Sequence, residues 1–227
     1  IIMKRSSQIV LAFILITANY LCAEIQLAPV FSDNMILQRE VTTPLRGIAD
    51  EEKQVVVSFN KKEYTGQVTD GRWQVDLPAM AAGGSFHITV TGSSNTLAIN
   101  NVTFGDIWLC AGQSNMDSAI ETYKAKFPEL FIGHPVKQHD QIRIFRVERM
   151  PIDQPQEFIT REHRFDKGWY PIEPGTRTRL FSATGYSFGL YLAEAVDVPI
   201  GLIQSCRGGT PITAWMPPGT LEKRDEY

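Results

Sequence analysis

The stretch Ile107-Trp108-Leu109-Cys110-Ala111-Gly112-Gln113-Ser114-Asn115-Met116 divides the chain into two kinds of sequence. Residues 107–111 are an unbroken apolar run, the pattern of a parallel strand buried on both faces. Small and polar residues follow at once, as they do where a strand hands over to a helix. Upstream, residues 24–104 read differently. Residues 43–48, 54–59, 63–68, 72–77, 86–91 and 96–101 are short runs rich in Val, Ile, Thr and aromatics, apolar at every second position, which predicts strands. Asp70-Gly71 is a two-residue hairpin signal, because Gly tolerates the positive φ such turns require. Asn60-Lys61-Lys62 and Ala82-Gly83-Gly84 mark further expected reversals. This half predicts a small all-β sandwich.

Downstream the grammar is strand and helix in turn. Residues 142–147 (IRIFRV) alternate in a way that suits an edge strand, Ser182 opens a helix running to Ala195 as its N-cap, and residues 199–204 (PIGLIQ) are another buried strand. Strand–helix–strand with short links predicts right-handed βαβ units and a parallel sheet, hence an α/β domain over residues 105–227. Residues 150–180, with Pro151, Pro155, Pro171, Pro174 and mixed charge, read as a long insertion or substrate-side loop. Only three parallel strands can be counted, where a doubly wound sheet has five or more, so the domain is expected to be truncated.

Residues 1–23 carry the order of a secretory signal: Lys4 and Arg5 are basic, residues 9–16 are apolar, and the segment closes on Leu21-Cys22-Ala23. The apolar run is shorter than the roughly 20 residues a bilayer span needs. Ile1 and Ile2 ahead of Met3 place the expected start at Met3. The expectation is export to a periplasmic or extracellular location without stable membrane insertion; Leu21 argues against lipoprotein anchoring at Cys22. Composition agrees with a globular enzyme or binding protein. The 227 residues include 43% hydrophobic and 21% charged residues, and 22 Lys+Arg face 25 Asp+Glu for a formal charge of −3. That balance lacks the basic footprint of a nucleic-acid binder, and the apolar content excludes disorder as the main character. Beyond the signal the thiols are Cys110 and Cys206, read as buried and free rather than bridged. No CxxC or HExxH pattern points to a metal, and nothing calls for a cofactor. Oligomeric state is unreadable at this level.

Two loops follow the carboxyl ends of predicted parallel strands, where open α/β sheets bind ligands. One is Gly112-Gln113-Ser114-Asn115-Met116; the other is Arg207-Gly208-Gly209-Thr210. A Ser at a helix entry exposes its hydroxyl, and its own N–H is among the unpaired donors of that helix start. Gly residues let a backbone N–H approach a ligand oxygen. A serine beside a backbone donor is half of an acyl-transfer site. Either pattern also occurs as an ordinary turn.

The wording of the two loops goes further. Residues 107–116 resemble the first block of the sialate O-acetylesterase family, within the SGNH hydrolases. Residues 200–205, followed by Gly208-Gly209-Thr210-Pro211 and Ala214-Trp215, are similar to its second block. The opening residues 27–38 (LAPVFSDNMILQ), and Gly71-Arg72-Trp73 followed by Leu77-Pro78, resemble the start of its bacterial members. The resemblance implies a three-layer, doubly wound, flavodoxin-like α/β domain that removes acetyl groups from O-acetylated carbohydrates without a metal. Ser114 would be the nucleophile. The Ser114 N–H with that of Gly208, or of Gly209 next to it, would form the oxyanion hole. Gln113, Asn115, Arg207 and Trp215 are the candidate substrate contacts. Arg207 is either a partner for a carboxylated sugar or a surface cation, and Trp215, Trp169 and Tyr170 either stack on sugar rings or pack in the core.

In that family a third-block Asn completes the hole and a late Asp-x-x-His supplies the base. Neither is present in this sequence. His87, His134, His139 and His163 read as structural or solvated, which makes a fragment of a longer esterase the expectation. A glycan-binding protein of the same fold without activity, and an acetylxylan esterase, are the competing readings.

Overall fold

The computed structural model describes residues 24–49, 52–129, 136–147, 168–217, 219 and 220. The expected signal segment, most of the Pro-rich stretch, His134 and His163 lie outside the described residues. The described chain is a mixed α/β structure on one continuous path of hydrogen-bonded strands.

Its first part contains β1 (Ile25–Leu27), β2 (Ile36–Gln38), β3 (Thr43–Ala49), β4 (Gln54–Phe59), β5 (Lys62–Thr69), β6 (Arg72–Leu77) and β7 (Gly83–Thr91). It runs on into β8 (Thr96–Gly112). Strand order along the path is β1-β3-β6-β5-β4-β7-β8, antiparallel throughout. Alternation decides which residues face inward. Val55, Val57 and Phe59 of β4, Trp73, Val75 and Leu77 of β6, and Ile88 and Val90 of β7 meet in one core with Ile99, Val102 and Phe104 of β8. The Phe59, Phe86 and Phe104 rings pack there with centroids 5.4 to 6.0 Å apart.

Two hairpins turn on pairs of residues at positive φ, Asn60-Lys61 at 48° and 63° and Asp70-Gly71 at 51° and 71°. Such left-handed pairs match the twist of the flanking strands. The reversal expected at Ala82-Gly83-Gly84 is not there. Gly83 and Gly84, at φ 92° and 80°, lie inside β7, and the pairing with β8 shifts between Gly83 and Phe86. Their positive φ bends the strand instead of turning the chain.

β8 is the spine of the molecule. Residues up to Phe104 pair with β7, Thr103 to Gly105 pair in parallel with β2, and Asp106 to Gly112 pair in parallel with β11 (Ile200–Cys206). The hydrogen bonding does not stop at Gly105, although the sequence changes character there. Arg39, just after β2, braces this change of partner by donating from Nε and Nη2 to the Asp106 carboxylate at 2.8 and 3.3 Å. Those charge-assisted bonds hold the Asp106 carboxyl below the ordinary carboxylate range. A depressed carboxyl pKa stabilises the fold at pH values above the unfolded value, about 3.9, and the contribution fades as pH falls through the folded value. Asp106→Asn is therefore expected to lower the urea midpoint at pH 7, with the gap from the parent protein narrowing as pH falls below about 3.9.

The α/β part adds α1 (Ser114–Asp117), α2 (Ile120–Lys126), β9 (His139–Arg146), β10 (Tyr170–Ile172) and α3 (Ala183–Ala195). Two 3-10 turns, Arg177–Leu180 and Ile212–Trp215, complete it. The sheet order is β8-β11-β9-β10, parallel except for β10. Hence β9 is not an edge strand, as its alternation suggested: its two faces are covered by different cores while both its neighbours are strands. Ile142 and Ile144 pack under α3 with Ile200, Leu202 and Phe181, and Phe145 turns the other way to join the β-rich core with Trp169. α3 lies close because it presents glycines to the sheet. A Cβ on Gly185 would stand 3.0 Å from Cys110 Sγ, and one on Gly189 would stand 2.6 Å from Leu202 Cδ1.

Two further expectations change. The 107–111 segment is not buried on both faces: Trp108 is 43% and Leu109 65% exposed. Among the described residues its only strand partner beyond Asp106 is β11, and the Trp108 ring packs edge-on against Phe188. The tail of the Pro-rich stretch is not a surface insertion either. Trp169 is fully enclosed, its ring against Phe145 and its Nε1 donating to the Val30 carbonyl at 2.8 Å. An indole that buries its rings and satisfies its one donor is core, not a sugar platform.

Candidate active site

The site is made where β8 and β11 end side by side. Their register pairs Ser205 with Ala111 and Cys206 with Gly112, so both following loops leave the sheet at one level. Arg207 N–H donates to the Gly112 carbonyl at 2.9 Å and ties the second loop to the first. A Cβ placed on Gly208 would lie 3.8 Å from Ser114 Cα and 3.9 Å from its Cβ. The structure thus sets the Gly208 backbone beside Ser114, with Gly209 next in the same loop.

Ser114 is the first residue of α1 and is exposed. Its hydroxyl donates to Gln113 Oε1 at 2.9 Å, and its N–H points to the same oxygen at 3.2 Å. Gln113 therefore acts as the cap of α1, and its side chain is engaged with Ser114 rather than held outward for a ligand. Asn115 is exposed, and its carbonyl accepts a bond from Thr184 Oγ1, at the start of α3, at 3.0 Å. The exposed Arg207 anchors its loop through the backbone, its carbonyl accepting from Thr210 Oγ1 at 2.8 Å. Trp215 is half-buried and donates from Nε1 to Thr210 Oγ1 at 2.9 Å, bracing the same loop.

Beneath the loops runs a buried polar chain. Gln204, 2% exposed, accepts the Ser182 N–H on Oε1 at 2.9 Å and donates from Nε2 to Cys206 Sγ at 3.2 Å. The Ser182 hydroxyl caps α3 by accepting the Gly185 N–H at 2.9 Å and donates to Met116 Sδ at 3.3 Å. The Ser118 carbonyl accepts the Ala183 N–H, and the Phe181 carbonyl accepts the Ile120 N–H, each at 2.9 Å. The nucleophile loop is thereby stitched to the head of α3, and a loop fixed by such contacts holds its geometry without a ligand. Cys110 and Cys206 are both free and buried. Burial pushes the Cys110 thiol up to about 11, with Cys206 adding to the effect. They are diagonal neighbours on adjacent strands, about 7–8 Å apart between Cα atoms, beyond the span of a disulfide.

Asp117 was not singled out from sequence. It sits three residues after Ser114 on α1, on the same face, and its Oδ2 accepts the Gly208 N–H at 2.7 Å while Cys206 Sγ lies 3.4 Å from Oδ1. The available signal was that i, i+3 spacing, which places a carboxylate one turn from the candidate nucleophile.

No described histidine approaches Ser114. His87 lies in β7, bonded to Asn100 Oδ1 and Thr89 Oγ1, each at 2.9 Å. His139 opens β9 at the opposite end of the sheet: following the register through Ile142, Ile200 and Asp106 to Gly112 counts about nine residues, roughly 30 Å at the usual strand rise.

A serine at the carboxyl end of one parallel strand, beside a glycine loop from its neighbour, sets a hydroxyl nucleophile next to backbone donors, the parts an ester-hydrolysing site needs. Residues 104–226 match the family described as "Carbohydrate esterase, sialic acid-specific acetylesterase", and the chain belongs to that family. It is 33% identical over 163 residues to the sialate O-acetylesterase of Rattus norvegicus, covering 68% of this chain and 29% of that protein. The Homo sapiens sialate O-acetylesterase is 29% identical over 206 residues, covering 83% and 38% respectively. Among solved structures, a carbohydrate acetylesterase from Xanthomonas citri superposes with a TM-score of 0.74 at 31% identity, over 88% of this chain and 44% of that one. The chain thus spans about a third of the length of the curated relatives it matches.

Proposed function

We propose that this chain forms the nucleophile-bearing part of an exported, serine-dependent carbohydrate O-acetylesterase acting on sugars of the sialic acid class. The observation that carries the reading is the meeting of Ser114 with the Gly208–Gly209 loop, inside the segment that matches the esterase family. Ser114 Oγ attacks the acetyl carbonyl carbon, and its proton passes to a base. The carbonyl oxygen, now negative, is held by backbone N–H groups. Collapse breaks the bond to the sugar oxygen, which leaves with the proton, and water then hydrolyses the acetyl-serine to acetate. Such preorganised donors act only where charge develops, and each is worth roughly 2.7–4 kcal/mol.

The base is not among the described residues, and we place it in a part of the esterase beyond them. The same reading takes residues 24–104 as a small sandwich packed ahead of a doubly wound hydrolase domain, and residues 1–23 as the export signal. The test is acetate release from O-acetylated sialic acid and, in parallel, from acetylated xylan. Preferential release from the sialic acid supports the reading. Preference for xylan moves the substrate class, and release from neither by a protein containing this chain overturns the esterase.

A further inference from the structure

The Gly208 and Gly209 N–H groups are adjacent in sequence but stand in opposite situations. The Gly208 N–H is already taken: Asp117 Oδ2 accepts it at 2.7 Å, the short distance of a charge-assisted bond. One N–H directs one hydrogen, so an oxygen at that position leaves no full bond for a substrate oxygen. The Gly209 N–H has no partner among the described residues. Gly209 holds φ 80°, and a Cβ built on it would meet nothing within 4 Å, so open space surrounds it.

Asp117 is itself fixed from behind. It ends the single turn of α1 that Ser114 begins, its N–H donating to the Gln113 carbonyl at 2.9 Å, and its Oδ1 lies 3.4 Å from Cys206 Sγ, which also receives Gln204 Nε2. One carboxylate therefore links the helix that carries the candidate nucleophile, the last residue of β11 and the glycine loop that follows it.

We propose that Asp117 is a positioning residue for the oxyanion site: it clamps the Gly208 N–H, fixes the glycine loop beside Ser114, and leaves the Gly209 N–H as the donor that loop offers to the substrate oxygen. The inference deepens the proposed function and rests on Ser114 being the nucleophile. It also assigns the two glycines different tasks, Gly208 as anchor and Gly209 as donor. The Asp117 carboxylate accepts from Gly208 on Oδ2 and lies against Cys206 Sγ on Oδ1, so both its oxygens are engaged.

Amide hydrogen exchange on the 15N-labelled protein tests the clamp without reference to turnover. The Gly208 amide is expected to exchange slowly and the Gly209 amide fast, with Asp117→Ala speeding Gly208 at least about tenfold. Asp117→Asn keeps an acceptor oxygen and retains most of the protection, which also serves if the alanine variant does not fold. With 4-nitrophenyl acetate as probe, Asp117→Ala is expected to lower kcat on the order of 10²-fold, the effect of misplacing a donor by about 1 Å. KM stays near its original value, and Asp117→Asn recovers part of the loss. A merely structural carboxylate would not split kcat from KM in this way. Fast exchange at Gly208 in the parent protein overturns the clamp. A kcat that is unchanged or raised in Asp117→Ala overturns the assignment, the rise meaning that Gly208 is the donor and Asp117 its obstruction. Turnover that survives in Ser114→Ala instead refutes the nucleophile, and the exchange result stands apart from it.

Discussion

Replacing Ser114 by alanine is expected to reduce acetate release by a factor on the order of 10⁴ to 10⁶, the range seen when a serine hydrolase loses its nucleophile. No neighbouring group on the described surface can substitute. Gln113, whose Oε1 accepts the Ser114 hydroxyl, is an amide; the Ser118 hydroxyl is tied to the Ser114 carbonyl at 2.9 Å; and the Asp117 carboxylate holds the Gly208 N–H. What survives is attack by water in a site whose N–H donors are still present, which keeps some catalysis over solution. The same substitution is expected to leave stability almost untouched. Ser114 is exposed, and its hydroxyl makes one bond, to Gln113 Oε1, while the N–H that begins α1 is backbone and remains. Paired measurement of acetate release and the thermal midpoint separates the outcomes: lost activity with an unchanged midpoint identifies the nucleophile, and retained activity removes Ser114 from the chemistry.

Gly105→Ala is expected to be the most damaging change to the fold. A Cβ there would lie 2.0 Å from the Pro199 carbonyl oxygen, 2.7 Å from its carbon and 2.9 Å from its Cβ. Two of these atoms are backbone at the entrance to β11, so no rotamer change relieves the clash. The flanking peptides are also committed. The Asp106 N–H donates to the Pro199 carbonyl, and the Gly105 carbonyl accepts the Arg39 N–H, each at 2.9 Å. β8 must move off β11 or off β2, and either movement breaks one of these bonds. Overpacking of this kind costs roughly 3 kcal/mol, to be read from urea unfolding of the variant against the parent. Acetate release is expected to fall with it, because the displaced strand carries Ser114.

The same glycine shows where sequence reading stops. Strand β6 has the expected bounds, as do β4 and the helix α3 behind its Ser182 cap, because alternation and capping are written in adjacent residues. β1 and β2, three residues each, carry no period of their own. They exist because Ile25–Leu27 finds β3 and Ile36–Gln38 finds Thr103 to Gly105. Gly105 reads as a break in the chain, whereas its absent side chain makes room for Pro199, more than ninety positions away. Apolar character misled at Trp108 and Leu109, where composition predicted enclosure: Trp108 meets the Phe188 ring of α3 at 5.1 Å yet stays 43% exposed, and Leu109 is 65% exposed. At the site, the two loops were legible because each follows the end of a parallel strand, and their meeting follows from the register of β8 and β11. Asp117 was not, since a carboxylate after a helix start looks like any helix-dipole residue until the Gly208 N–H is seen against it.

The unbroken run of β8 also bears on which insertions and deletions the chain can survive. Its two halves are locked in phase, one by β7 and β2, the other by β11, with no loop between them to absorb an error. One residue added near Gly105 would advance everything beyond it by about 3.3 Å and turn each following side chain to the opposite face. If the first half held its pairing with β7 and β2, Ser114 would then be carried past the glycine loop that follows β11. Length changes are accordingly free to accumulate in the β4–β5 and β5–β6 hairpins, whereas between Thr96 and Ser114 the count of residues is itself part of the active site.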